Sequence, residues 1–247
     1  MENLKENERI DDLEYKGLKI IQNTEGFCFG IDSVLLSDFA KDIKRDSKVI
    51  DLGTGTGIIG ILLCAKTEIS QMIGVEIQKE VYDMAKRNIK LNKLEEKFTL
   101  MNINIKELEG RQEIGKFDAV VTNPPYKKEN TGIQNENEKK LISRHEITAN
   151  LEDFIKISAL LLKDKKDLYM VHRPDRLVDI IELLRKYKLE PKKLKLVYPK
   201  PEKEPNLLLI KATKNAKPFL KVEKPLYVYK KNGEYTDEIL KIYGKEK

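Results

Sequence analysis

The sequence predicts a doubly wound α/β fold, a mostly parallel sheet covered by helices on both faces. Three observations carry this. Short apolar runs of strand length alternate with longer stretches of helical period. The run Lys48-Val-Ile-Asp51-Leu52 opens directly into Gly53-Thr-Gly55-Thr-Gly57, a strand-to-helix turn suited to close ligand approach. Glu76 ends the next apolar run, 19 residues after Gly57, where a carboxylate can accept both hydroxyls of a ribose.

In chain order, the first residues up to about Leu13 are polar and are expected to fray. Leu18 to Ile21, then Asn23-Thr-Glu-Gly26 and Phe27-Cys-Phe29, predict a small hairpin turning at Gly26. Asp32 or Ser33 is placed to cap a helix from Val34 to about Ala40. After the glycine turn come a helix over Ile58 to Lys66 and a strand over Met72 to Val75. A helix over Gln78 to Leu91 and a strand over Phe98 to Asn102 follow. The next strand is Phe117 to Thr122, which runs into Asn123-Pro124-Pro125-Tyr126. Two prolines end that strand and hold the chain extended, so the Asn123 side chain, the nearby carbonyls and the Tyr126 ring face one way. Acceptors beside a flat aromatic ring suit a planar group that bears an NH2.

Lys127 to Asn150 is a long polar loop that leaves this turn, and it is expected to act as a lid or substrate loop. A helix over Leu151 to Leu162, a strand over Asp167 to Val171 and a helix over Asp175 to Tyr187 come next. Strands over Leu194 to Tyr198 and Asn206 to Lys211 complete the pattern. The tail reads as an extended Leu226 to Tyr229, a turn at Gly233 and a short helix from about Asp237. The division expected is 1–47 as a hairpin and helix packed on the core, 48–213 as the core, and 214–247 as a basic C-terminal extension.

Composition bounds the chemistry. The chain has 247 residues, 40% hydrophobic and 36% charged, enough to bury a proper core beneath a wet surface. The longest apolar run, Ile58 to Ala65, is too short to span a bilayer. No secretory leader is visible at the N-terminus, so a cytoplasmic location is expected. Cys28 and Cys64 have no metal-ligand spacing, the two histidines lie far from both, and no metal is expected. The net charge of +6 is uneven. From Lys156 onward 24 Lys and Arg face 13 Asp and Glu, whereas the first 155 residues hold 23 against 28. A basic half beside an acidic half points to a phosphate-rich partner.

Asp51 bears on which nucleoside the glycine turn takes. A carboxylate there repels a pyrophosphate but can receive an ammonium group; it can also serve only to stabilise the turn.

Asp51-Leu-Gly-Thr-Gly-Thr-Gly57, Glu76 and Asn123-Pro-Pro-Tyr126, in that order, resemble the class I methyltransferases that act on amino groups. Those enzymes carry an (Asn/Asp/Ser)-Pro-Pro-aromatic element after strand four. More narrowly, the chain resembles the tRNA(Val) adenine-N6 methyltransferase family. That likeness runs from Phe27-Cys-Phe-Gly-Ile-Asp32 through Arg144-His-Glu146 to Gly233-Glu-Tyr-Thr236, nearly the whole chain. The resemblance implies a Rossmann-like sheet of seven strands, the last antiparallel, and S-adenosyl-L-methionine as methyl donor. It implies that Asp51, Gly53, Gly55 and Gly57 hold the methionine end and that Glu76, with Ile77 beside it, holds the ribose. Asn104 takes the place of an aspartate that accepts from the cofactor's adenine. Phe29 and Asp32 belong to a segment that closes over the cofactor. Asn123 and the carbonyl of Pro124 grip the target amine, with Pro125 completing the turn and Tyr126 stacking on the base. The implied partner is a tRNA anticodon stem-loop. Lys127 and Lys128 leave the clamp toward it. Arg144 and His145 can contact phosphate or stack on a base, and the His145-Glu146 pair can equally be a local hydrogen bond. Arg173 and Arg176, beside His172 at the carboxyl end of the fifth strand, can contact phosphate or form salt bridges at the helix start; a monomer is expected.

Other readings compete. A protein glutamine methyltransferase suits the same clamp but carries a helical substrate domain ahead of the cofactor turn, and here about fifty residues precede Asp51. A DNA adenine methyltransferase needs a target-recognition domain for which no segment is large enough. A nicotinamide oxidoreductase has only the glycine pattern in its favour. Intact Asn123 to Tyr126 speaks against a catalytically dead RNA-binding protein.

Overall fold

The computed structural model describes residues 4–25, 30–126 and 149–245. Its first elements depart from the sequence expectation. Strand β1 (Glu8–Asp12) pairs antiparallel with β2 (Lys19–Asn23), Glu8 opposite Asn23 and Asp12 opposite Lys19. The N-terminus is therefore not frayed to Leu13, which is 2% exposed. The hairpin partner of β2 lies upstream of it, and residues 26–29 lie outside the described residues. Helix α1 (Ile31–Phe39) starts earlier than expected, on Gly30, with no side-chain cap among the described residues. Asp32 and Ser33 sit inside its first turn, because the Asp32 carboxylate is engaged elsewhere.

The alternation that follows is the one the sequence predicts. It runs β3 (Lys48–Leu52), α2 (Ile58–Lys66), β4 (Gln71–Val75), α3 (Lys79–Leu91), β5 (Phe98–Met101) and β6 (Phe117–Thr122). Then come α4 (Leu151–Leu161), β7 (Leu162–His172), a 3-10 turn over Pro174–Arg176, α5 (Leu177–Lys186), β8 (Leu189–Tyr198) and β9 (Leu207–Lys214). Two short strands, β10 (Lys221–Val222) and β11 (Leu226–Tyr227), and α6 (Asp237–Ile242) end the described chain.

The sheet runs β10-β8-β9-β7-β6-β3-β4-β5, with β11 also on β8. Strands β3 to β7 pair in parallel, and β9 is antiparallel to both β7 and β8. The seven expected strands are present, with the expected antiparallel one. Among the described residues the sheet has nine strands, because the C-terminal segment adds β10 and β11 along the edge of β8. That segment is also part of the core: Leu226, Val228, Ile239 and Ile242 are buried with α1 and α2. A second apolar layer on the other face gathers α4 and α5.

Two local contacts shape the half of the fold that holds β2 to β5. A Cβ on Gly60, in the first turn of α2, would lie 2.4 Å from the Phe98 ring, so the absence of a side chain there lets α2 rest on β5. On α3, Asn88 is fully buried. Its Oδ1 accepts from Ile21 N at 2.6 Å, and its Nδ2 donates to Ile21 O at 3.1 Å and Thr56 O at 2.9 Å. One turn on, Asn92 pairs the same way with Lys19 N and O at 3.0 and 2.7 Å. Two amides at i and i+4 thus stand in for a neighbouring strand and dock β2 onto α3. Replacing Asn88 by leucine strands two buried backbone groups of Ile21 and the half-buried carbonyl of Thr56, at about 1–3 kcal/mol each where burial is complete. The expected result is a loss of about 3 kcal/mol or more of unfolding free energy in urea titration; a loss below about 1 kcal/mol would contradict this account.

Candidate active site

Parallel register brings the distant motifs to one edge. Leu52 is level with Val75 and Thr122, Val75 with Met101, and Thr122 with Met170. The residues that follow, Gly53, Glu76, Asn102, Asn123 and Val171, therefore form one row at the carboxyl rim. The strand order reverses at β3 and β6, the position where open α/β sheets bind ligands. The Thr122 hydroxyl donates to Leu52 O at 2.8 Å and ties the two strand ends together.

On the β3 side the chain folds over the end of β4, with Gly53 N and Thr54 N both donating to Val75 O. Gly53, Gly55 and Gly57 have φ of +72°, +57° and +86°, a left-handed path that side chains resist. A Cβ on Gly55 would meet nothing within 4 Å, so one surface of the turn is open. Glu76, 4% exposed, accepts from Gly55 N at 3.1 Å and from Gln78 N at 2.8 Å, which fixes its carboxylate beside the turn. Asn102 holds the next residues in place by donating to Glu76 O and Ile77 O at 2.8 and 3.0 Å. The Ile77 side chain is left at the surface.

Asp51 is fully buried. Its Oδ2 accepts from the Thr54 hydroxyl at 2.7 Å, while Oδ1 has no partner among the described residues. Burial pushes its carboxyl up to about 7; the Thr54 hydrogen bond opposes that rise and the nearby Glu76 charge adds to it. A buried carboxylate oxygen without a partner is costly alone and is satisfied by a cationic donor.

On the β6 side, Asn123 Nδ2 and the Tyr126 hydroxyl both donate to Asp32 Oδ2, at 3.0 and 2.8 Å. Burial raises the Tyr126 phenol, and the Asp32 charge and hydrogen bond raise it further, so the hydroxyl stays a donor. The Tyr126 ring leans on His172, centroids 5.1 Å apart and planes at 59°. His172 is fully buried, and its Nδ1 accepts from Arg173 N at 2.8 Å. Burial, followed by the charge of Arg176, lowers the imidazole to about 4, so it is neutral in its contact with Tyr126.

Residues 30–175 match the methyltransferase small domain family. The chain belongs to that family. Among relatives of this methyltransferase is a protein from Porphyromonas gingivalis named tRNA1(Val) (adenine(37)-N6)-methyltransferase. It is 28% identical over 204 residues, which span 81% of this chain and 79% of that one. A Methanocaldococcus jannaschii protein named a putative protein N5-glutamine methyltransferase is 35% identical over 117 residues, 46% of this chain and 54% of that one. Among solved structures, one described as a predicted O-methyltransferase from Agrobacterium tumefaciens has the same fold. Its TM-score is 0.70 at 19% identity, over 87% of this chain and 96% of that one.

Most of the residues singled out from the sequence of the methyltransferase meet at this rim: Asp32, Asp51, the three glycines, Glu76, Ile77 and Asn123 to Tyr126. The remaining ones are placed differently. Arg176, expected to meet phosphate, is 13% exposed in its side chain and is committed to Asp179 Oδ2 at 2.6 Å. Arg173 is exposed on the rim, 3.8 Å from Asp175. Asn104 uses its side-chain oxygen to cap a 3-10 turn over Ile105–Gly110, accepting from Lys106 N, while Glu107 answers on Asn104 N. Phe29, Lys127, Lys128, Arg144 and His145 lie outside the described residues, as does Cys28. Cys64 is buried, and burial pushes its thiol up to about 11, which suits an inert core thiol. Among the described residues no group of three His, Cys, Asp or Glu could hold a metal, and no helix is long and apolar enough to cross a membrane.

Sequence reasoning puts His172 on the rim without giving it a role, and misses Asn102. Each ends an apolar strand at the rim, and that position is the available signal.

Proposed function

We propose that this methyltransferase uses S-adenosyl-L-methionine to methylate the N6 amine of an adenosine in tRNA, beside the anticodon. One observation carries the reading: the Asn123-Pro-Pro-Tyr126 clamp lies on the same rim as a buried Asp51 oxygen that has no partner among the described residues. The residues present fit the cofactor. Asp51 Oδ1 suits an ammonium, the open surface at Gly55 admits a ligand against the backbone, and the Glu76 carboxylate suits ribose hydroxyls. When bound, the cofactor supplies a methyl group activated on a sulfonium.

The rest is the work of this chain. An exocyclic amine is a poor nucleophile because its lone pair is delocalised into the ring. Asn123 Oδ1 and the Pro124 carbonyl accept its two hydrogens and direct the lone pair outward, with no reorganisation needed at the moment of reaction. Buried His172 and the apolar ends of β6 and β7 keep water from this side of the clamp. Tyr126 supplies a flat face for a base that has left its stack, and an anticodon-loop base costs less to extrude than a paired one. Names of relatives such as the Porphyromonas gingivalis protein support tRNA as the acceptor.

The direct test incubates labelled S-adenosylmethionine with tRNA from a strain that lacks this gene, then digests the RNA to nucleosides. The expected product is N6-methyladenosine, mapped beside the anticodon. The match to a protein named for glutamine methylation favours one other acceptor, because a glutamine amide also presents an NH2. Label in a protein fraction and none in tRNA would select it. Tyr126→Ala is expected to raise KM for tRNA by about tenfold or more, since stacking on an aromatic is worth roughly 1–3 kcal/mol per base. An unchanged KM in that variant removes stacking from the mechanism.

A further inference from the structure

We propose that Asp32 is a positioning residue that decides which end of the Asn123 amide meets the reacting amine. The inference rests on reading Asn123 to Tyr126 as a clamp for an NH2 group. The two ends of an amide are nearly isosteric, one an acceptor and the other a donor, and half a turn about the last side-chain bond exchanges them. Only one orientation is useful here. With Oδ1 toward the target, Asn123 accepts an amine hydrogen; with Nδ2 toward it, two donors face each other.

Asp32 resolves that degeneracy. A carboxylate oxygen accepts and does not donate, so the end of Asn123 that faces Asp32 Oδ2, at 3.0 Å, is the NH2 end. Oδ1 is therefore the end left for the substrate. The same Asp32 oxygen accepts from the Tyr126 hydroxyl at 2.8 Å, so one atom sets both the amide and the aromatic ring. Asp32 is itself held: it is 7% exposed, and its Oδ1 accepts from Ser33 N at 2.9 Å. Glycine precedes α1 for the same reason, since a Cβ on Gly30 would lie 2.8 Å from Asp32 Oδ1. Asp32 acts through Asn123 and Tyr126.

The test reverses the polarity of one hydrogen bond. Asp32→Asn keeps the shape but offers Asn123 both a donor and an acceptor, so both amide orientations become populated. In that variant kcat is expected to fall by about one to two orders of magnitude, with KM for tRNA and Kd for the cofactor within about twofold of the parent. Asn123→Asp alone sets two carboxylates against each other and is expected to be impaired at least as much. In the double variant Asp32→Asn/Asn123→Asp, the amide introduced at 32 donates to the carboxylate introduced at 123, whose other oxygen still accepts from the amine. Its turnover is expected to recover at least about tenfold over Asp32→Asn. A purely structural role for Asp32 predicts no such recovery.

Side-chain amide resonances of 15N-labelled protein give a second measurement that needs no substrate. The parent is expected to show one Asn123 amide proton shifted and protected by the bond to Asp32, and Asp32→Asn to lose that signature. Full turnover in Asp32→Asn, a folded and cofactor-bound double variant that recovers less than about tenfold over Asp32→Asn, or no protected amide proton in the parent would each overturn the proposal. A parent that has the protected proton yet methylates neither tRNA nor glutamine would instead count against the clamp reading, with the amide orientation upheld.

Discussion

Asn123→Ala is expected to remove methyl transfer almost entirely while leaving cofactor binding within about twofold of the parent. The side chain lies on the β6 side of the rim, and the groups suited to the cofactor lie on the β3 and β4 side, so the two functions separate. Truncation deletes one of two acceptors for the amine hydrogens. Removing one preorganised hydrogen-bonding group of this kind slows turnover by roughly 10²–10³. It also takes from Asp32 Oδ2 one of the two donors it holds among the described residues, leaving Tyr126. Single-turnover transfer measured beside equilibrium cofactor binding reads both quantities. Loss of both together would mean that Asn123 holds the cofactor and not the amine.

The second large effect concerns pH. Burial puts the Asp51 carboxyl at about 7, against an ordinary value of 3.8. Between those values the folded chain keeps a proton that the unfolded chain has lost. The Asp51 contribution to the stability of the ligand-free protein therefore falls as pH rises from about 4 to about 7 and is level above that, while buried His172, lowered to about 4, contributes the opposite slope below about 6.5. A cationic group beside Oδ1 favours the ionised form. Cofactor affinity is thus expected to be greatest above about pH 7 and to fall towards about tenfold per unit below it, with a proton released on binding. Asp51→Asn is expected to weaken binding at pH 8 by about 10- to 100-fold, since hydrogen bonds to charged groups are worth about 1.5–3 kcal/mol. The same substitution should flatten the pH profile and raise the melting temperature of the ligand-free protein at pH 8. For a chain of this size each kcal/mol relieved is worth about 2–4 °C. Calorimetry from about pH 5.5 to about pH 8, in buffers of different ionisation enthalpy, decides the matter. A parent profile that Asp51→Asn leaves unchanged would falsify the assignment.

The parts of the fold that can be read from the sequence are those in which apolar period and turn chemistry agree. Lys48–Leu52, Ile58–Lys66 and Phe117–Thr122 stand where the pattern places them, because buried parallel strands are almost continuously apolar and glycine or proline follows the strand ends. Strand β1 is illegible for the opposite reason. Glu-Arg-Ile-Asp-Asp is charged and reads as solvated chain, and its pairing with β2 is backbone chemistry that no side-chain pattern announces. Asn88 is hidden inside a helical period that accounts for apolar residues only. At the site, the row Gly53, Glu76, Asn123 is legible because each ends a strand. The bond from Asp32 is not, since 91 residues separate it from Asn123 and nothing local marks the pair. For Arg176 the sequence leaves a phosphate contact and a helix-start salt bridge both open, and its spacing to Asp179 at the same helix start favours the ion pair that forms.

The Asn88 amide has a consequence beyond stability. Its NH2 is shared between Ile21 O in the hairpin and Thr56 O in the glycine turn, so the two segments cannot loosen independently. A ligand that quiets the turn must, by reciprocity, also quiet the hairpin, and disorder in the hairpin must weaken the ligand. The amide of Ile21, which has no place in the rim itself, then becomes a remote reporter of occupancy: its hydrogen exchange should slow when the cofactor binds.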